Sequence, residues 1–268
     1  MASPAQIDLS GKSAFVTGGS KGMGFGIARA FLACNARVAI CSNEPESLAQ
    51  AQAEFDAGND LLAIEADVSR GDNVKDAVAQ TVGQFGGLNV LVNCAGIQRY
   101  GTVTDTPEET WDEVMAVNLK GIYWASRYAI PHIEEAGGGS VINLASVQAF
   151  ASQSNVAAYT ASKGAILALT RAMALDHADA GIRVNAICPA AIDTPMLRWA
   201  ADLWKGENTV EATIADWGKG HPVGRVGSIE EVAAVATFLA SDLCPFMTGA
   251  DIKVDGGLLS KLGVILPE

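Results

Sequence analysis

Short apolar, β-branched runs alternate with longer amphipathic or alanine-rich stretches along the whole chain, and this rhythm limits the possible folds more than any other feature. The apolar runs lie at 14–17, 37–41, 61–65, 90–93, 140–144, 183–187 and 251–254, with helical patterns at 22–34, 45–57, 71–85, 107–136, 157–180 and 229–241. A strand followed by a helix, repeated, builds a parallel sheet, because each parallel return needs a crossover long enough to hold a helix. Strands in such a sheet are covered on both faces, so they appear as continuous apolar runs rather than as alternation. The expectation is an α/β chain built on one doubly wound parallel sheet of about seven strands, with helices on both faces.

A length of 268 residues allows one large domain or two small ones. No Pro/Ser-rich linker, charge block, low-complexity stretch or internal repeat interrupts the series, so a single domain over 1–268 is expected. The long interruption at 190–227 carries Trp199, Trp204 and Trp217, three of the five tryptophans. Loops of that length in compact domains act as lids, while indoles equally pack a core or a subunit interface, and both alternatives stand.

The net charge of -12 comes from scattered acids, without the clustered Lys and Arg that phosphate backbones require, so no nucleic-acid partner is expected. Cys34, Cys41, Cys94, Cys188 and Cys244 are odd in number and lie mostly in apolar stretches, which suits buried thiols in a reducing compartment rather than disulfides. His132, His177 and His221 share no ligand spacing with each other or with the cysteines, so no metal is expected. Residues 1–12 show no cationic stretch leading into an apolar core, and no run approaches membrane-spanning length. The expected location is therefore the cytoplasm.

Two places carry chemistry. The first strand runs into Thr17-Gly18-Gly19-Ser20-Lys21-Gly22-Met23-Gly24 and then a helix. Glycines there permit a tight turn and close approach to a pyrophosphate, whose charge a helix N-terminus stabilises. Asp67-Val68 after the third strand, and Asn93-Cys94-Ala95-Gly96 at the end of the fourth, fall on the carboxyl edge of the sheet, where ligands of open α/β sheets bind. Farther on, Tyr159 and Lys163 are four residues apart on a helix, which stacks them on one face, and Ser146 lies upstream. A phenol with a pKa of ~10 is a poor proton carrier near neutrality, and a neighbouring ammonium should lower that value.

Along nearly its whole length the chain resembles the short-chain dehydrogenase/reductase family. The motifs that carry the resemblance are Thr17-Gly18-x-x-x-Gly22-x-Gly24, Asn93-x-Ala95-Gly96, Asn118, Ser146, Tyr159-x-x-x-Lys163, Pro189 and Asp255-Gly256-Gly257. The resemblance implies a Rossmann-type sheet and hydride transfer between a nicotinamide cofactor and a hydroxyl or carbonyl carbon. It makes Tyr159 the acid/base and Ser146 the hydrogen-bond partner of the substrate oxygen. Lys163 would hold the nicotinamide ribose and lower the tyrosine pKa, and Asn118 would hold a relay water. The cofactor set it implies is Gly18, Ser20, Lys21, Gly22, Met23, Gly24, Ser42, Asn43, Asp67, Val68, Asn93, Ala95, Gly96, Tyr159, Lys163, Pro189, Ile192 and Thr194. Ala190 departs from the usual Pro-Gly pair, which should slightly restrict the loop beside the nicotinamide.

Family members that use NAD usually end the second strand with Asp, and this chain has Cys41-Ser42-Asn43 there. With Lys21 in the glycine turn and hydrogen-bond donors at Ser42 and Asn43, NADP is favoured over NAD. By position, Gln98, Arg99, Ser146, Gln148, Asn155, Tyr159 and Trp199 are expected around the substrate, with Phe150, Gln153 and 190–192 nearby. That set is rich in amides, which both donate to and accept from hydroxyls, and so favours a sugar or other polyhydroxylated alcohol. A 3-oxoacyl or cyclic-ketone reductase is the alternative, and a non-catalytic dinucleotide sensor the remote one. The family implies a homotetramer formed in part through helices 107–136 and 157–180, with the apolar tail 262–267 buried against a neighbour.

Overall fold

In the computed structural model, which describes residues 7–262, β1 (Ser13–Thr17), β2 (Arg37–Ser42), β3 (Leu61–Glu65), β4 (Val90–Asn93), β5 (Gly139–Leu144), β6 (Ile182–Pro189) and β7 (Asp251–Val254) form one parallel sheet. Its order is β3-β2-β1-β4-β5-β6-β7. The chain winds outward through β2 and β3, then returns to the other side of β1, so Phe15 pairs with both Ala39 and Leu91. The reversal opens a crevice at the carboxyl ends of β1 and β4.

β1 shows why the strands are apolar throughout. Ala14 and Val16 face a core shared with α1 (Gly22–Ala33), α2 (Pro45–Phe55) and α9 (Ile229–Ala240), while Phe15 faces the core under α3 (Gly71–Phe85), α5 (Gly121–Glu135) and α6 (Ala157–Asp176). All three side chains are buried. The sheet is thus the middle of three layers.

Three expectations about the elements need correction. The helix expected at 107–136 is α4 (Glu108–Met115), a π turn at Ala116–Lys120, then α5. Inside a helix, such a turn leaves the apolar period almost unchanged, so it does not show in the pattern. The helix expected to reach 180 ends at Asp176; a 3₁₀ turn at Ala178–Ala180 follows, and Gly181 sits at φ 73°, where a side chain would be strained. Residues 190–227 are not one long loop, for they hold α7 (Pro195–Trp204) and α8 (Val210–Gly218). Both helices start on a threonine: Thr194 Oγ1 accepts from the Leu197 N–H at 3.3 Å, and Thr209 Oγ1 from Ala212 at 3.1 Å. Pro195 at the first helical position adds a start signal that a search for wide apolar stripes passes over. The tail beyond Leu262 lies outside the described residues.

Candidate active site

The crevice at the strand ends is a cleft of about 470 Å³. Gly18, Ser20, Lys21, Gly22, Met23 and Gly24 line one wall, Ser42, Asn43, Asp67 and Val68 the next, and Ala95, Gly96 and Thr194 the far side. The glycine turn is packed too tightly for side chains, since a Cβ on Gly24 would lie 2.2 Å from the Gly18 carbonyl oxygen and one on Gly18 2.8 Å from Ala95 Cα. No side chain caps α1, so the amide hydrogens of its first turn stay available to an anion from the cleft. Thr17 holds the opposite lip, its Oγ1 accepting from the Cys94 and Ala95 N–H groups at 3.0 and 3.2 Å.

The wall after β2 differs from its sequence reading. Glu44 also lines the cleft, and its carboxylate pairs with Lys21. Its N–H donates to Ser42 Oγ at 3.2 Å. The sequence showed no carboxylate at this strand end because the acid lies at the cap of α2, just beyond the motif, and the fold turns it back over the cleft. Ser20 lies 3.0 Å from Ser47 Oγ, tying the glycine turn to α2.

Asn93 turns away from the cleft. Its Nδ2 donates to Asn143 Oδ1 at 2.8 Å, and Asn143 donates to Thr170 at 2.9 Å, so a buried amide ladder links β4, β5 and α6. Asp67 Oδ1 accepts from Ser69 N–H and Oγ at 2.9 and 2.7 Å and shapes the turn ahead of α3. Pro189 ends β6 in register with Val254, and buried Ile192 packs behind the cleft wall. Thr194 both lines the cleft and caps α7.

The catalytic candidates gather behind Gly96. A Cβ on Gly96 would lie 3.4 Å from Asn118 Oδ1 and 3.7 Å from Lys163 Nζ. Asn118, in the π turn, is fully buried; its Oδ1 accepts from the Ile97 N–H at 2.8 Å, and its Nδ2 donates to the Ile97 carbonyl at 2.9 Å and Ser162 Oγ at 3.1 Å. Its side-chain amide therefore clamps the backbone after β4 to α6. Lys163 Nζ donates to the Leu144 carbonyl at 2.8 Å and lies 5.4 Å from the Tyr159 ring centroid.

Burial governs the ionisation of this pair. It pushes the Tyr159 phenol up to about 12, while the hydrogen bond with Ser146 pulls the other way. Burial likewise brings Lys163 down to about 8. Burial also raises Cys94, on the cleft, to about 12 and keeps it a neutral thiol.

The residues expected around the substrate are less uniform. The Gln148 backbone N–H donates to Ser146 Oγ at 3.1 Å, which fixes the serine hydroxyl, while the Gln148 side chain meets Thr160 Oγ1 at 3.2 Å. Arg99 lines the cofactor cleft and is held by both oxygens of Glu113 at 3.0 and 2.7 Å. The Gln98 carbonyl accepts from Arg99 at 3.1 Å. Asn155 is an exposed turn residue at φ 61° whose carbonyl accepts from Gly101 at 2.7 Å. Trp199 and Trp204, both half-exposed, pack on Tyr100 with ring centroids 5.7 and 5.3 Å away. Tyr100 was missed in the sequence, having no motif spacing of its own, yet it acts on the ionisation of Tyr159.

A family model described as Enoyl-(Acyl carrier protein) reductase matches residues 18–259. The chain is 40% identical over 248 residues to the 2-(R)-hydroxypropyl-CoM dehydrogenase of Xanthobacter autotrophicus, covering 91% of this chain and 96% of that one. It is 38% identical over 251 residues to the L-fucose dehydrogenase of Bos taurus, covering 92% and 89%. The ligand-free structure of the aldohexose dehydrogenase of Thermoplasma acidophilum matches at a TM-score of 0.90 and 38% identity, over 98% of this chain and 100% of that one. Likeness in both sequence and fold across almost the full length leaves one conclusion: the chain belongs to the short-chain dehydrogenase/reductase family, NAD(P)-dependent oxidoreductases acting on CH–OH groups.

Proposed function

We propose that the protein interconverts a hydroxyl and a carbonyl on a polyhydroxylated small molecule, an aldose or related polyol, with Tyr159 exchanging the proton and NADP favoured over NAD. The observation that carries the reaction is the setting of Ser146, whose Oγ accepts from the Gln148 backbone N–H at 3.1 Å and which hydrogen-bonds the Tyr159 phenol, while the amide side chain of Gln148 in the same turn supports the substrate class. The names of the fucose and aldohexose dehydrogenases among its relatives point the same way.

The residues present fit the cofactor. The uncapped first turn of α1 suits the pyrophosphate, and the strand-end cleft suits an extended dinucleotide. When bound, the nicotinamide supplies the hydride acceptor or donor. Ser146 orients the substrate oxygen, and Tyr159, kept protonated by its burial, gives its proton in reduction and receives one in oxidation. Lys163 places positive charge beside the phenol, favouring the phenolate that oxidation needs. Lys21, Ser42 and Asn43 support NADP, with Glu44 opposing a 2′-phosphate until Lys21 changes partner. The outward face of α6 supports assembly into a homotetramer.

The test follows reduced-nicotinamide absorbance with NAD and NADP across aldoses, polyols, cyclic alcohols and, in reverse, oxoacyl thioesters. Aldose or polyol turnover supports the proposal. Turnover confined to apolar ketones or thioesters overturns the substrate class and leaves the proton-transfer roles standing.

A further inference from the structure

Ser146 is pinned from three sides, and only one of the pins is a side chain. The residue before it is held on the sheet, where the Ala145 N–H donates to the Ile187 carbonyl at 2.8 Å and continues the pairing of Leu144 with Ile187. Its own hydroxyl accepts from the Gln148 backbone N–H at 3.1 Å, inside the turn that follows. Its backbone N–H donates to the sulfur of Cys188, the next residue of β6, which is fully buried with Ala145, Ile166 and Leu167 under α6. Lys163 is close to the same sulfur from α6, and Asp251 and Lys253 act on it from β7. Burial pushes the thiol up to about 12, so it stays neutral and is free to accept. Sulfur is a weak acceptor, yet a buried N–H without a partner is costly, and no oxygen among the described residues accepts from this one.

We infer that Cys188 is a positioning residue of the active site, whose sulfur holds the Ser146 backbone and so sets where the Ser146 hydroxyl meets the substrate oxygen and the Tyr159 phenol. Strand alternation selects this position, since Ile187 turns to the opposite core, shared with α1 and α9, and leaves Cys188 to face Ser146 at this level of β6. The inference rests on the assignment of Ser146 and Tyr159 to the proton transfer.

Three substitutions separate the acceptor from the volume it fills. Cys188→Ala and Cys188→Val remove the acceptor with a smaller and a larger side chain, while Cys188→Ser keeps one. Amide hydrogen exchange at Ser146, followed by mass spectrometry, needs no substrate: it should run about tenfold faster or more in the first two, and within about threefold of the wild type in Cys188→Ser. With the alcohol that turns over fastest in the panel above, kcat/KM should fall about tenfold in Cys188→Ala and Cys188→Val. Its alkaline rise should also move to higher pH, because the bond from Ser146 that lowers the phenol is loosened, and Cys188→Ser should restore both. Cofactor affinity by fluorescence titration should stay within about twofold throughout. Thermal melts report folding, and either of Cys188→Ala and Cys188→Val decides the question should the other fail to fold. Wild-type exchange in both overturns the bond. Faster exchange with a wild-type kcat/KM and pH profile overturns the positioning role. Loss in Cys188→Ser as full as in Cys188→Ala overturns the acceptor and leaves packing alone. No turnover of any panel alcohol by the wild type overturns the proton-transfer reading and this role with it, while the exchange rates still decide the bond.

Discussion

Tyr159 and Lys163 are both buried, and burial moves their pKa values in opposite directions: the phenol is held protonated and the ammonium is made easier to neutralise. Tyr159→Phe removes the proton carrier and keeps the ring, so turnover should fall by about a thousandfold or more while cofactor affinity by fluorescence titration stays within about twofold. Unchanged turnover would remove Tyr159 from its role. Oxidation needs the phenolate, so kcat/KM for the alcohol should climb with pH through the alkaline range, and Ser146→Ala, losing the bond that lowers the phenol, should push the rise to higher pH. Lys163 also makes a stability prediction. Its folded pKa of about 8 lies below the reference value of 10.5, so between these the unfolded chain holds more protons and stability contributed by this residue rises with pH. Tyr159 acts oppositely between 10 and about 12, where the fold holds the extra proton and stability falls. Lys163→Met should therefore gain about 1–3 kcal/mol over the wild type near neutral pH, a gap that closes as the wild-type lysine neutralises; chemical denaturation at a series of pH values measures it.

The joints between elements were harder to read in the sequence than the elements themselves. All seven strands fall where the apolar runs place them, because a strand covered on both faces has no other composition. The Tyr159 and Lys163 pair was legible for a similar reason, one helix carrying both residues. Glu44, Tyr100 and Thr160 were not, since each acquires its partner only when separate segments meet: α2 with the glycine turn, the loop after β4 with α7, α6 with the turn after Ser146. The π turn was invisible for lack of any period of its own, yet it sets the clamp of Asn118 on Ile97. Asn118→Ala removes the partner of the part-buried Ile97 N–H and carbonyl and should cost about 1–3 kcal/mol by denaturant titration. At another joint, α1 meets α9 where a Cβ on Gly26 would come within 2.0 Å of Ile229 Cγ2. Gly26→Ala should destabilise by about 1–3 kcal/mol, and Ile229→Ala in the same chain should restore part of that loss. Strictly additive effects in that double-mutant cycle would mean the two helices part without strain.

The whole molecule joins a strongly acidic surface to an outward helix face on which small apolar side chains flank one cation, Arg171. Each chain carries a net charge of -12, so copies repel through their general surface, and association must come from a local apolar contact. α6 offers one, since Ala161, Ala168, Ala172 and Leu175 are exposed along its outer side, Leu175 at 81% of its full area. Small side chains at this helical spacing let a second helix approach closely, and an exposed leucine at the end of the row gains by being covered. On the proposed homotetramer, light scattering should give four times the 27.7 kDa chain mass, and dilution should dissociate the assembly more readily at low salt, where the acidic surfaces repel over a longer range. Ala168→Arg, in the middle of that row, should lower the mass without changing the circular dichroism of the helices. A wild-type monomer at micromolar concentration would refute the tetramer, and an Ala168→Arg variant of unchanged mass would move the contact to another face.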